Sequence, residues 1–338
     1  MDRERWQRIQ RVFHHLSDKS PSHRRDYLDM VCEDDQELRL EIEALLESHD
    51  QLQQGEREFI TPVLQGPREI GHPQTLGDYR ILDELGRGGM GVVYLAQHPQ
   101  QGEVALKLLP RYTVAAEEAQ RRFSLEARVL ASLDHPALCR LIDSFSTEEY
   151  AAIAMEFIDG EGLDVHLSRG PLPYRQGLKI ILDLSDVLAQ AHAQGLAHRD
   201  IKSNNVLLDR QGETKLIDFG IAKFADVKLT ATGQIIGTPG YMSPEQWRGK
   251  DVDHRTDLWS LGILLFELLT AQKPFTAEER FEVANKILTR EAPPLPANSC
   301  DGEDLAPVQA ILDQLLIKEP QQRLGSCSEL SSLLGKLV

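Results

Sequence analysis

The feature that most constrains this chain is a glycine-rich run, Gly86-Arg87-Gly88-Gly89-Met90-Gly91, followed at once by Val92-Val93-Tyr94-Leu95-Ala96. A GxGxxG spacing alone is shared by dinucleotide-binding folds and ordinary hairpins. In a dinucleotide fold the glycines must open a helix, whereas the residues that follow here are β-branched and aromatic, a strand composition. The glycines therefore join two strands as a flap. Backbone amides in such a flap can approach phosphate oxygens closely, and Val93 is placed to lie on a purine. A plain Gly-rich hairpin is the alternative reading at this point.

Further along, Val104-Ala105-Leu106-Lys107 puts one lysine inside an apolar strand. Burying an ammonium there is costly unless negative charge lies nearby. The helix expected from Ala115 to Leu133 supplies a partner, because Phe123, Glu126 and Leu130 share one face at spacings of three and four. A Lys107–Glu126 pair would steer the lysine onto phosphates. The competing possibility is a snorkelling lysine and an exposed glutamate.

The pattern divides the chain. Residues 1 to 60 place Trp6, Ile9, Val12, Phe13 and Leu16, then Leu38, Ile42, Leu45 and Leu46, at helical spacing, and predict a short helical appendage. Residues 61–77 carry Pro62, Gly66, Pro67, Gly71, Pro73 and Gly77 and read as a linker. From 78 to 157 the pattern is β-rich, with strands expected in ILDEL, VVYLAQ, EVALKLL and YAAIAMEF. From 158 to 338 it is mostly helical, with Tyr174–Gln194 and Asp257–Thr270 the longest periodic segments. The class is α+β, a small sheet lobe before a larger helical one.

Composition narrows the function. A hydrophobic share of 41% is too high for a disordered chain, and a net charge of -16 repels nucleic acid and anionic lipid, so any phosphate site must be built locally. No nucleic-acid partner is expected. The most apolar run, Leu261 to Leu269, is interrupted by Glu267 and falls short of the ~18 to 20 residues of a membrane span. With no apolar signal segment in MDRERWQRIQ, a cytoplasmic location is the expectation. Cys32, Cys139, Cys300 and Cys327 are scattered, without a CxxC pair, and are expected to be reduced.

Two polar loops carry the chemistry. His198-Arg199-Asp200-Ile201-Lys202-Ser203-Asn204-Asn205 lies between the long helix and a short strand, VLLD; Thr214 to Ile217 forms another strand, followed by Asp218-Phe219-Gly220. Two carboxylates thus sit at adjacent strand–loop junctions.

Taken in order, GRGGMGVV, VALK, HRDIKSNN and DFG resemble the eukaryotic-like Ser/Thr protein kinases of bacteria, from about Tyr79 to the C-terminus. The resemblance implies a two-lobed kinase fold, ATP as phosphoryl donor and Mg²⁺ as its metal, with Mn²⁺ as a substitute. It implies that Asp200 orients or deprotonates the acceptor hydroxyl, Lys202 neutralises the moving phosphoryl, Lys107 and Glu126 form the ion pair, and Asn205 and Asp218 hold the metal. Leu85, Gly86, Arg87, Gly88, Gly89, Met90, Gly91, Val93, Ala105, Glu156 and Leu207 would surround ATP, with Leu207 beneath adenine. His198 would pack rather than act as a base, and Phe219 and Gly220 would complete the metal loop.

LTATGQIIGTPGYMSPE resembles an activation segment, with Ser243-Pro244-Glu245 where Ala-Pro-Glu is commoner. Thr238 and Lys202 match Ser/Thr rather than tyrosine kinases. Thr230 and Thr232 lie where relatives autophosphorylate, a step that could use a homodimer, and Arg199 would engage the phosphate. A mobile polar loop that needs no phosphate is the alternative. Asp257 resembles a buried helix-capping aspartate, and Arg323 would pair with Glu245. A nucleotide-binding pseudokinase scaffold and a small-molecule phosphotransferase are the competing functions. The charged residues present argue against the first and the GTPxYxxPE pattern against the second, leaving protein substrates.

Overall fold

The computed structural model describes residues 74–338, except 89–90, 111–116, 148–149, 220–237, 251, 278 and 298–301, together with positions 12, 27, 28, 31, 32, 35 and 39. The described positions before residue 72 belong to one compact unit and those from 74 onward to another. In the first, Val12, Leu28 and Cys32 are buried. Most of the expected helical appendage and all but the end of the linker lie outside the described residues.

The second unit begins with an antiparallel sheet. Its strands are β1 (Thr75–Leu76), β2 (Tyr79–Gly88), β3 (Gly91–His98), β4 (Gly102–Pro110), β5 (Leu141–Ser146) and β6 (Tyr150–Glu156), in spatial order β1-β2-β3-β4-β6-β5. β1 falls within the segment expected to be linker, where Leu76 pairs with Tyr79 and is buried. In β3, Val92, Tyr94 and Ala96 are buried while Val93 and Leu95 are half-buried, so one face meets the core and the other opens outward. Gly91 has no room for a side chain: at φ +140° an added Cβ would lie 1.9 Å from the Leu108 carbonyl oxygen. Helix α1 (Glu117–Ser132) lies against β5 and buries Phe123, Glu126, Ala127 and Leu130, while Leu125 on its far side is 61% exposed.

The helical part begins with β7 (Gly160–Gly162), α2 (Leu163–Ser168) and α3 (Tyr174–Ala193). β8 (Val206–Asp209) and β9 (Thr214–Leu216) join β7 in a three-stranded sheet, and a 3₁₀ turn at Ser203–Asn205 precedes β8. The stretch just before β5 is bridged to β9, where Cys139 N–H donates to Leu216 O at 2.9 Å and Leu216 N–H to Ala137 O at 2.8 Å. Then come α4 (Pro244–Trp247), α5 (Arg255–Thr270), α6 (Arg280–Thr289), α7 (Ala306–Leu315) and α8 (Cys327–Leu334).

LWSLGILLFELL is apolar all round, the pattern of a helix buried on every side. Every residue of α5 from Thr256 to Leu269 is buried accordingly. Gly262 lets α7 approach, since an added Cβ would lie 2.9 Å from the Leu315 and Leu316 side chains. Cys32, Cys139 and Cys327 are buried free thiols; burial pushes the Cys139 thiol up to about 12. Cys300 lies outside the described residues.

Lys318 is held in this core with its Nζ 4.8 Å from the Trp259 ring centroid and 4.2 Å from that of Phe275, and with no hydrogen-bond acceptor among the described residues. Burial lowers its pKa to about 8, against the opposing charge of Glu291. The unfolded amine keeps a pKa near ~10.4, so below about 8 both states are charged and the penalty is constant. As pH rises from about 8 toward ~10 the folded amine sheds its proton first and stability climbs. Denaturant melts across this range should show that climb, and Lys318→Met should flatten it and be the more stable protein at pH 7. Parallel pH profiles for the two would contradict the assignment.

Candidate active site

Side chains on directly opposed strand positions share a face. Val93 is opposite Lys107, and Ala105, two positions before the lysine, is opposite Met155, so Val93, Ala105 and Lys107 line one wall. Val93 and Ala105 are half-buried, as is Leu207 on β8, while Lys107 is 9% exposed. Beside Lys107 is an apolar hollow lined by Leu130, Cys139, Ile153, Met155, Phe219 and others.

Lys107 Nζ donates to both oxygens of Asp218, at 2.7 and 2.6 Å. This corrects the expected Lys107–Glu126 pair: Glu126 is buried on the inward face of α1, yet the ammonium takes the carboxylate just beyond β9. Both oxygens of Asp218 lie within reach of one donor, a geometry that meets the desolvation cost of a part-buried ammonium.

The 198–205 loop is fixed by Asp257, which has no exposed surface at the start of α5. Its carboxylate accepts from His198 N–H at 2.8 Å, from Arg199 N–H at 2.7 Å, and bonds His192 Nε2 at 2.8 Å. Burial alone would push this carboxyl up, but the bond and charge of His192, with the His198 contacts, hold it below its ordinary value. Arg199 sits at φ +63°, a left-handed conformation costing a non-glycine residue roughly 1–2 kcal/mol. Both Asp257 bonds lie on the amino side of that Cα and fix the two peptides that lead into it. His198 is fully buried, its ring 4.6 Å from Phe219, and its Nδ1 accepts the Asp200 N–H at 3.2 Å.

Asp200 Oδ2 is 3.0 Å from Lys202 Nζ and 3.3 Å from Asn205 Nδ2, which also donates to Asp200 O at 2.8 Å. With its NH₂ turned inward, Asn205 keeps an amide oxygen for a cation. That oxygen and the Asp218 carboxylate are hard donors of the type Mg²⁺ prefers, and a two-ligand set leaves positions for phosphate and water. The residues present fit Mg²⁺ with a nucleotide.

Of the other expected ATP residues, Gly86 pairs with Val93 and Gly88 with Gly91 in the β2–β3 hairpin, and Leu85 is 46% exposed. Arg87 is turned onto Glu84, at 2.8 Å. The Glu156 carboxylate meets Arg140 N–H at 3.0 Å and Lys215 Nζ at 3.4 Å, while its carbonyl accepts from Cys139 Sγ. Gly89, Met90, Gly220, Thr230 and Thr232 lie outside the described residues, and Thr238 is half-buried. Arg323 grips both oxygens of Glu245, at 2.9 and 3.0 Å, and bonds the Ile317 and Arg255 carbonyls.

His192, Ser203, Tyr241, Gln246 and Glu267, all bonded to or around the 198–205 loop, are not singled out by residue type and spacing. Their signal was weak but present: polar side chains on otherwise apolar helix faces, or inside the same motifs that supplied the charged residues.

The protein kinase domain family matches residues 79–333. The chain belongs to the protein kinase family. Within it the relatives are the eukaryotic-like Ser/Thr kinases of bacteria. Serine/threonine-protein kinase Pkn1 of Myxococcus xanthus is 36% identical over 257 residues, 74% of this chain and 37% of that protein. Serine/threonine-protein kinase PknB of Mycobacterium leprae is 36% identical over 267 residues, 76% of this chain and 43% of that protein. The chain thus spans less than half the length of these curated relatives. Among solved structures, the PknI kinase domain of Mycobacterium tuberculosis matches with a TM-score of 0.62 at 30% identity, covering 78% of this chain and 97% of that one. No helix among the described residues is long and apolar enough to cross a membrane.

The buried Glu245–Arg323 pair yields a stability prediction. Removing one partner strands the other's charge, so Glu245→Ala or Arg323→Ala should each cost about 3–5 kcal/mol in urea unfolding. The double change should cost less than the sum of the two. Additive losses would show that the two charges do not depend on one another.

Proposed function

We propose that this chain transfers the γ-phosphoryl group of ATP, with Mg²⁺, to serine or threonine hydroxyls of protein substrates. The observation that carries the reading is the convergence of Asp200, Lys202 and Asn205 on one loop, with Lys107 and Asp218 bonded to each other across the neighbouring strands. Phosphoryl transfer needs positioning and charge neutralisation more than covalent help from the protein.

In this reading Val93, Ala105 and Leu207 hold the purine between apolar surfaces, while Lys107 directs the α- and β-phosphates. Asn205 and Asp218 would hold Mg²⁺, which when bound offsets charge on the phosphates. Asp200 accepts the acceptor hydroxyl's proton as the oxygen attacks. Lys202, already on Asp200 Oδ2, sits where it can meet the transferring group. Each displacement forms one P–O bond and breaks one, releasing ADP.

Thr230 and Thr232 are the proposed autophosphorylation sites, and Arg199 the group that would receive the phosphate. Thr238 and Lys202 support a Ser/Thr acceptor.

Labelled ATP and Mg²⁺ with a generic basic acceptor protein test the proposal. Asp200→Asn should lower kcat at least about a hundredfold, the range for a positioned acid–base group. Phosphate should appear on Thr230 or Thr232, and the Thr230→Ala/Thr232→Ala chain should lose stimulation by preincubation with ATP. Nucleotide binding without transfer in the unaltered chain would reject the enzyme in favour of a scaffold.

A further inference from the structure

We infer that Tyr241 and Gln246 are positioning residues that grip the catalytic loop on either side of Asp200 and Lys202; this rests on the kinase reading above. Both lie on the stretch from Thr238 to Trp247, and each reaches the loop through a side-chain hydrogen bond.

On one side is the Tyr241 hydroxyl. It stands 2.9 Å from Ser203 Oγ, accepts Ser203 N–H at 3.3 Å, and donates to Glu267 Oε2. A phenol has one hydrogen, and with that committed to the carboxylate, Ser203 Oγ must be the donor to Tyr241. The tyrosine is held from below: Lys273 Nζ is 3.3 Å from Glu267 Oε1 and 4.9 Å from the Tyr241 ring centroid, and Ser260 Oγ donates to Tyr241 O at 3.1 Å. Tyr241, Ser203 and Glu267 are all buried, so loss of the hydroxyl would strand polar groups away from water.

On the other side is Gln246. Its Oε1 accepts Ser243 N–H at 2.8 Å and its own N–H donates to Ser243 Oγ, a reciprocal cap on α4. That cap spends the amide oxygen and turns Nε2 onto Arg199 O at 3.2 Å. Ser243 is fully buried and its Oγ lies 2.8 Å from Thr256 Oγ1 on α5. The serine that replaces the commoner alanine therefore supplies the cap. The cap fixes the glutamine, and the glutamine holds the carbonyl of the peptide that leads into Asp200.

The two contacts meet the loop at residues 199 and 203 and leave Asp200 and Lys202 between them. A shift in the 238–247 stretch would therefore be felt as a shift of the Asp200 carboxylate, with little effect on nucleotide binding.

The test uses the full chain and measures kcat, KM for ATP and direct nucleotide affinity, alongside the unaltered chain and Asp200→Asn. Gln246→Glu keeps the acceptor for Ser243 N–H, removes the donor to Arg199 O and sets a carboxylate oxygen against that carbonyl. Ser203→Ala removes the loop's hydroxyl and leaves Tyr241 on Glu267. Each should lower kcat about tenfold, the kinetic equivalent of one buried hydrogen bond, with nucleotide affinity within about twofold. Ser203→Ala should cost little when added to Tyr241→Phe, because the bond between Ser203 Oγ and the Tyr241 hydroxyl is already lost in the latter. Unchanged kcat in Gln246→Glu and Ser203→Ala, while the unaltered chain far exceeds Asp200→Asn, overturns the inference and leaves the kinase reading standing. If Gln246→Glu does not fold, the Ser203/Tyr241 pair decides, and additive losses there overturn it. An unaltered chain no better than Asp200→Asn overturns the kinase reading, and the inference with it.

Discussion

The site depends first on one buried carboxylate. Asp257 has no exposed surface, and its desolvation is tolerable because three donors, the amides of His198 and Arg199 and the His192 ring, surround it. In return it fixes the two peptides that lead into Arg199, a residue in a left-handed conformation. Asp200 follows directly, so its direction is set by a strained peptide anchored to the first turn of the most buried helix in the described structure. Strain kept in place by its surroundings is a common property of reactive sites.

The core explains why such an anchor is rigid. α5 is buried from Thr256 to Leu269 and is closed in by α3 and by α7, which reaches it over Gly262. The Glu245–Arg323 pair and the Ser243–Thr256 contact tie the 238–247 stretch to the same helix region. The 198–205 loop and the 238–247 stretch thus take their positions from one scaffold. This suits chemistry that relies on placing groups within tenths of an ångström.

Much of this was legible in the sequence where residue type and spacing carry physical cost. A strand-forming run after glycines forces a hairpin, a lysine in an apolar strand demands a carboxylate, and an all-apolar helix must be central. The fold class and the long helices follow from such patterns. The partner of Lys107 did not: spacing put Glu126 on the inward face of α1, but only three-dimensional placement brings Asp218 to the ammonium. The bonds of Tyr241 and Gln246 were equally hidden, because a polar residue inside a motif does not announce which loop it will reach. The short strand at Thr75–Leu76 escaped notice because its two residues sit among proline and glycine signals.

Amide hydrogen exchange over residues 196–205, comparing the unaltered chain with Asp257→Asn, tests directly whether Asp257 holds the loop. If the carboxylate is the anchor, the amides of His198 and Arg199 should exchange only with global opening in the unaltered chain. In the variant they should exchange faster by orders of magnitude, while α5 stays protected and phosphoryl transfer falls. Protection of 198 and 199 that survives the substitution would contradict the account and place the anchor elsewhere.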